Sequence, residues 1–123
     1  PLASHDLTLQ SRNRNMSTGE MLSELSDSLK SQYVLVTEGR HGCCIRDRND
    51  LLRVPSFASN VVDRVGAGDA LFSITTLSAF KKIPSDVIAF LGNIAGSLAV
   101  ETMGNAMAVS RNAMTRYITS VMK

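Results

Sequence analysis

The spacing of apolar residues changes once along this chain, near residue 65, and that change restricts the folds open to it. Between residues 33 and 54 the apolar residues come in short runs. Tyr33-Val34-Leu35-Val36-Thr37 is β-rich and nearly all apolar, as in a strand covered on both faces of a parallel sheet. Cys43 to Asp47 and Leu51 to Val54 are two more short runs around Arg48-Asn49-Asp50, which predicts a hairpin closed by Pro55. Val61-Val62 reads as one last extended piece. From Gly66 to about Lys82 the pattern is helical and Pro84 stops it. Ser85 or Asp86 caps a second helix running to about Met103 and ended by Gly104, and Ser110 caps a third through Met114, Tyr117, Ile118 and Val121. Upstream, Ser17-Thr18-Gly19-Glu20 is a capping box, followed by Leu22, Leu25 and Leu29 at helical spacing, which predicts a helix over 17–31. The result is an α/β chain with too few strands for a complete doubly wound sheet.

Composition removes several function classes. At 123 residues with 44% hydrophobic and 20% charged, the chain supports a single domain and is no disordered tail. No apolar run reaches the ~18–20 residues a membrane helix needs, and no signal segment opens the chain, so we expect no membrane partner and a cytoplasmic location. Thirteen basic residues against eleven acidic ones are interleaved, as in Arg46, Asp47, Arg48 and Asp50. With six aromatics and no Trp, that argues against a nucleic-acid surface. Cys43 and Cys44 are adjacent, so on a strand they point to opposite faces. With only His5 and His41 beside them, they make no zinc set and read as buried free thiols. The chain opens on Pro1, and residues 1–16 are polar, so we read them as a loop or the truncated edge of a longer protein.

Four segments can carry chemistry. Asp63-Arg64-Val65-Gly66-Ala67-Gly68-Asp69 lies directly before a helical run. Small residues let backbone N–H groups approach a ligand, and the helix N-terminus adds unpaired donors and positive potential, so Gly66, Ala67 and Gly68 form an anion cradle. Asp69 at its mouth can take the proton from an attacking hydroxyl. A tight turn with an acid complementing the helix dipole would show the same residues. No Lys follows, which excludes a Walker A loop, and Leu71 stands where a dinucleotide fingerprint needs its third Gly. Thr37-Glu38-Gly39-Arg40-His41-Gly42 ends the apolar strand with two glycines three apart, which suits a turn beneath a ligand or simply a turn. Asn93 sits among Gly92, Ala95, Gly96, Ser97 and Ala99, so it is either a polar hook for a base or sugar edge or part of a closely packed helix. Glu101-Thr102-Met103-Gly104 ends that helix with carbonyls that can meet a cation or water.

The order T-x-G-x-x-G, then D-x-x-G-A-G-D, then a small-residue helix ending in Gly resembles the PfkB/ribokinase family of carbohydrate kinases over about residues 33–123. The resemblance implies a ribokinase-like three-layer α/β/α fold, of which residues 1–123 would be a single partial domain, the C-terminal part, with its sheet incomplete. It implies ATP-dependent phosphoryl transfer to a sugar or sugar-phosphate hydroxyl. Asp69 would be the base, and Gly66, Ala67 and Gly68 the anion hole. Thr37, Glu38, Gly39, Arg40, His41 and Gly42 would line the ATP site together with Gly68, with Asn93 near adenine. Mg²⁺ would accompany ATP. A K⁺ site would take Asp63 with Val65, Ala99, Thr102, Gly104 and Ala108. Val61 to Gly66 is most similar to the heptose-phosphate kinase branch. Arg64 stands where the family usually has a small residue or Thr, Ile74 occupies a usually small position, and no N-x-x-E match falls near residues 1–10. The family's N-terminal half supplies most sugar contacts, so these residues alone are expected to turn over little. The competing reading is a non-catalytic kinase-like module kept for nucleotide binding or oligomerisation. An incomplete sheet also predicts exposed apolar surface and self-association, as in a homodimer.

Overall fold

The computed structural model describes residues 16–58, 61–62, 65–101 and 109–123. Within them the chain runs α1 (Thr18–Leu29), β1 (Tyr33–Thr37), a short 3₁₀ turn (Gly39–His41), β2 (Cys43–Asp47), β3 (Asp50–Val54), α2 (Ala67–Phe80), α3 (Ser85–Val100) and α4 (Arg111–Val121). The α1 start is the capping box expected from sequence. Ser17 Oγ accepts the Glu20 N–H at 3.3 Å, and Glu20 Oε2 accepts the Ser17 N–H at 2.8 Å. The helix ends where Lys30 turns left-handed at φ 49°.

The three strands form one antiparallel sheet in the order β1-β2-β3. This corrects the parallel sheet expected from the Tyr33–Thr37 run. That run is apolar because helices cover both faces of the sheet, and such cover is indifferent to strand direction. The register explains the rest. Leu35, Ile45 and Leu52 stand opposite one another, as do Val36, Cys44 and Arg53. Residues paired across an antiparallel ladder share a face, and neighbours along a strand alternate. On one face Cys43, Ile45 and Val54 pack with Ile88 and Ala89 of α3, flanked by Tyr33, Leu35, Phe57, Ala79 and Ile83. On the other face lies α1, whose Leu22 is fully buried. Cys43 and Cys44 therefore point opposite ways yet are both buried and free, as expected. Burial pushes the Cys43 thiol up to about 11, with Cys44 and Glu38 adding to the effect, so it stays protonated and unreactive at neutral pH.

Helix α2 rests mainly on α3, with Ala79 near its end reaching the cluster on the sheet. A Cβ on Gly92 would run into Thr75 Cγ2 and sit 3.4 Å from Leu71 Cγ; one on Gly96 would lie 3.7 Å from the Ala67 carbonyl oxygen. The small residues of α3 thus seat the start of α2 closely. The other side of α2 is open: Phe72, Leu77 and Phe80 are 69%, 65% and 81% exposed. The apolar surface expected from an incomplete sheet is present, on this helix. Val61 and Val62 form no strand among the described residues; the Val62 N–H instead donates to Val100 O at 2.8 Å. Helix α3 stops at Val100, short of the expected Met103, and Thr102 to Gly104 lie outside the described residues. Ser110 caps α4 by accepting the Ala113 N–H at 3.2 Å. Among the described residues no helix is long and apolar enough to cross a membrane.

Candidate functional site

The turn after β1 is held by its own backbone and by a glycine. The Glu38 N–H donates to Gly42 O at 2.8 Å, and the His41 N–H donates to Glu38 O at 3.1 Å. Gly42 has φ +99°, and a Cβ there would penetrate the Val54 carbonyl oxygen and approach the Pro55 carbonyl carbon to 2.6 Å. Only glycine lets this turn press against the end of β3. Gly39, at φ +58°, has nothing within 4 Å of its Cβ position, so it is a conformational glycine facing open space.

Beside the turn is a cleft of about 680 Å³, within the range of small-molecule sites. Thr18, Val36, Thr37, Glu38, Gly39, His41 and Arg53 line it. Sequence reasoning named Thr37, Glu38, Gly39 and His41; Arg40 is exposed and Gly42 buried, and neither is part of the lining. Thr18 and Arg53 were missed. Arg53 Nε lies 3.2 Å from Glu38 Oε2, and the Thr18 hydroxyl donates to Glu38 Oε1 at 2.9 Å. Arg53 also opposes the rise that burial imposes on the Cys44 thiol. No local sequence pattern signals this group; the strand register of the folded chain sets Arg53 level with Val36.

The second constellation is the start of α2. Gly66 caps it in the left-handed region at φ +83°, and no side chain bonds the cap. Ala67, Gly68 and Asp69 form the first turn, with their N–H groups at the positive end of the helix. Among the described residues, a Cβ on Gly68 would meet nothing within 4 Å, so the space over this turn is open to them. Asp69 is exposed, and its carboxylate has no partner among the described residues; only its carbonyl is engaged, accepting Ser73 Oγ–H at 2.8 Å. A free carboxylate beside bare N–H donors can accept a proton next to a bound anion. The cleft lining contains none of Gly66 to Asp69.

Asn93 is buried, and its amide group donates to the Pro55 carbonyl and, at 3.3 Å, to that of Val54. Both amide hydrogens are spent on main chain, so Asn93 staples α3 to the end of β3, leaving only its oxygen for a base or sugar edge. Of the expected cation ligands, Val65 is exposed and Ala99 is 8% exposed; Asp63, Thr102, Gly104 and Ala108 lie outside the described residues. The Val62–Val100 hydrogen bond joins the two segments that carry them. Nearby, the Tyr117 hydroxyl donates to Phe57 O at 2.7 Å and lies 3.3 Å from Glu101 Oε1. Burial first, then the Glu101 charge, raises its pKa. This contact fixes α4 to the end of α3.

Residues 6–111 match the family model described as pfkB family carbohydrate kinase. The chain is 37% identical over 71 residues to inositol 3-kinase of Arabidopsis thaliana, covering 58% of this chain and 20% of that protein. It is 36% identical over 97 residues to the bifunctional protein HldE of Pseudomonas aeruginosa, covering 76% of this chain and 20% of that protein. Among solved structures, phosphofructokinase-2 of Escherichia coli in complex with potassium superposes with a TM-score of 0.80 at 20% identity, over 97% of this chain and 39% of that one. Ribokinase of Thermotoga maritima superposes with a TM-score of 0.79 at 16% identity, over 94% of this chain and 40% of that one. The fold is ribokinase-like, and the chain spans about a fifth of these curated relatives' length.

Proposed function

The chain belongs to the pfkB family of carbohydrate kinases, and from that premise we propose that it forms the C-terminal nucleotide-binding and catalytic part of an ATP-dependent sugar kinase. The observation that carries the reading is the start of α2. An exposed Asp69 carboxylate, without a partner among the described residues, stands beside N–H donors, and among those residues nothing lies within 4 Å of the Cβ position of Gly68. In the proposed step the acceptor hydroxyl oxygen attacks the γ-phosphorus of ATP. The bond to the β,γ-bridging oxygen breaks, ADP leaves, and the hydroxyl proton passes to Asp69. The Gly66, Ala67 and Gly68 amides receive the charge that builds on the phosphoryl oxygens. The cleft beside Thr37 to Gly42 takes the nucleoside end. Mg²⁺ would accompany ATP and supply charge neutralisation of its phosphates. The carbonyls of Val65 and Ala99 belong to the segments that would hold a monovalent cation, and the E. coli phosphofructokinase-2 structure is a complex with potassium.

The acceptor class follows from the relatives' chemistry: a polyol, sugar or sugar phosphate, with the heptose-phosphate branch favoured by the 97-residue similarity to HldE. Because the chain spans 39% of the kinase it superposes on, turnover is expected only where the remainder of the fold is joined to it. That remainder would cover the α2 face that carries Phe72, Leu77 and Phe80. The same exposed face favours a second reading, a nucleotide-binding or oligomerisation module without catalysis.

Titrating the ¹⁵N-labelled chain with Mg·ATP tests the proposal. Amide signals of Gly39, His41, Gly66, Ala67 and Gly68 are expected to shift together. If Gly66 to Asp69 stay still at millimolar nucleotide, the catalytic reading fails. Shifts confined to the cleft, with no phosphoryl transfer once the rest of the fold is joined, select the binding module.

A further inference from the structure

Arg53 is the wall of the cleft that no motif announces. It stands on β3, level with Cys44 and Val36, on the sheet face that α1 covers. Its Nη2 donates to Glu38 Oε1 at 3.2 Å while its Nε lies 3.2 Å from Oε2, a two-point grip on one carboxylate. The same Oε1 accepts the Thr18 hydroxyl. One side chain therefore ties three elements together at the cleft: the first residue of α1, the end of β1, and β3. Its own main chain closes the Glu38–Gly42 turn. The Arg53 side chain is 61% exposed and that of Glu38 19%, so this pair adds little to folding. What it fixes is local. It sets where the turn, with its two left-handed glycines, stands relative to α1. It also holds a guanidinium at the rim.

We propose that Glu38 is a positioning residue for nucleotide binding, acting through Arg53 and Thr18 to hold the Gly39–Gly42 turn in the shape that receives the ligand. The inference rests on the nucleotide reading of the cleft. Because it names a link between side chains, the nucleotide reading can hold while it fails.

The test measures the dissociation constant of Mg·ADP for the unaltered chain and for Glu38→Gln, Arg53→Gln, Arg53→Lys and the Glu38→Gln/Arg53→Gln double variant. Each Gln variant is expected to weaken binding about tenfold, as loss of one charge-assisted contact does. The double variant is expected to be no weaker than the poorer single one, since both break the same link. Arg53→Lys is expected to recover part of the loss. Melting temperatures are expected to stay within a few degrees, which separates positioning from support of the fold. Unchanged affinity in the single variants, or losses that add fully in the double one, overturns the inference and leaves the nucleotide reading standing. No binding by the unaltered chain overturns both. Should the Glu38 variant not fold, Thr18→Val removes one hydroxyl from the same carboxylate: about threefold weaker binding is expected, and unchanged binding overturns the inference.

Discussion

The two turns that follow apolar segments, Glu38–Gly42 and Val65–Asp69, are built on opposite plans. The first is crowded. Its backbone closes on itself, its glutamate is gripped from two other elements, and Gly42 lies so close to the end of β3 that no side chain fits. The second is open. Its cap carries no side-chain bond, Gly68 faces empty space, Asp69 has no partner among the described residues, and the helix behind it exposes two phenylalanines. A glycine can be retained because the fold needs the room or because something else will use it. These two turns separate the cases. The crowded turn is completed by this chain, whereas the open one presents groups that no described residue engages.

The hardest blow to this contrast comes from Asp69. If the open turn is the chemical half, Asp69→Asn in a form that phosphorylates a sugar is expected to lower kcat by about 10²–10⁴-fold, the usual loss of a positioned base. Mg·ATP affinity is expected to be nearly unchanged. Full turnover in that variant would make Asp69 a mere helix-dipole acid. Next in size is Gly42→Ala. It forces a Cβ into the Val54 carbonyl and strains a residue at φ +99°, and is expected to cost about 2–4 kcal/mol in urea unfolding. A loss under about 1 kcal/mol would show that the crowded turn relaxes freely.

Gly68→Ala is expected to have the opposite sign. The position is helical, has nothing within 4 Å of its Cβ, and gains helix propensity, so stability is expected to rise by about 0.5–1 kcal/mol. The added methyl stands in the space offered to an anion, so nucleotide affinity is expected to fall although the protein is firmer. A rise in stability with unchanged affinity would place the phosphates away from this turn.

What the sequence disclosed and what it hid follow the same division between local and distant causes. The capping box at Ser17 and Glu20, the Ser110 cap and the β2–β3 hairpin were legible because each is decided within a few residues. The glycine-rich start of α2 was legible as a possible anion site because a helix N-terminus has the same donors wherever it occurs. Strand direction was not legible, since the Tyr33–Thr37 run records only that both faces are covered. Nor was the end of α3: Gly104 looked like the stop, but α3 ends at Val100, with Glu101 as its cap residue. Arg53 and Thr18 were hidden because they meet Glu38 across 15 and 20 residues of sequence, through a register no local pattern states. Asn93 was read for its polarity, while its partners lie 38 and 39 residues away at the end of β3.

The smallest expected effect tests the open half from its other side. Phe72 and Phe80, 69% and 81% exposed on α2, bury little apolar area within this chain. Phe72→Ser and Phe80→Ser are therefore expected to change the unfolding free energy of the monomer by no more than about 0.5 kcal/mol each, the range of ordinary surface substitutions. Yet large exposed aromatics close together on one helix face drive association. The unaltered chain is expected to elute earlier from size-exclusion columns as its concentration rises, and the double variant to elute at one position throughout. The two measurements check each other. A loss above about 2 kcal/mol in dilute monomer would mean that these rings already pack within the chain, and the contrast between a finished turn and an unfinished one would dissolve. Unaltered stability with lost association would show that these rings act between copies of the chain rather than within it, on the same helix whose first turn carries the Asp69 carboxylate.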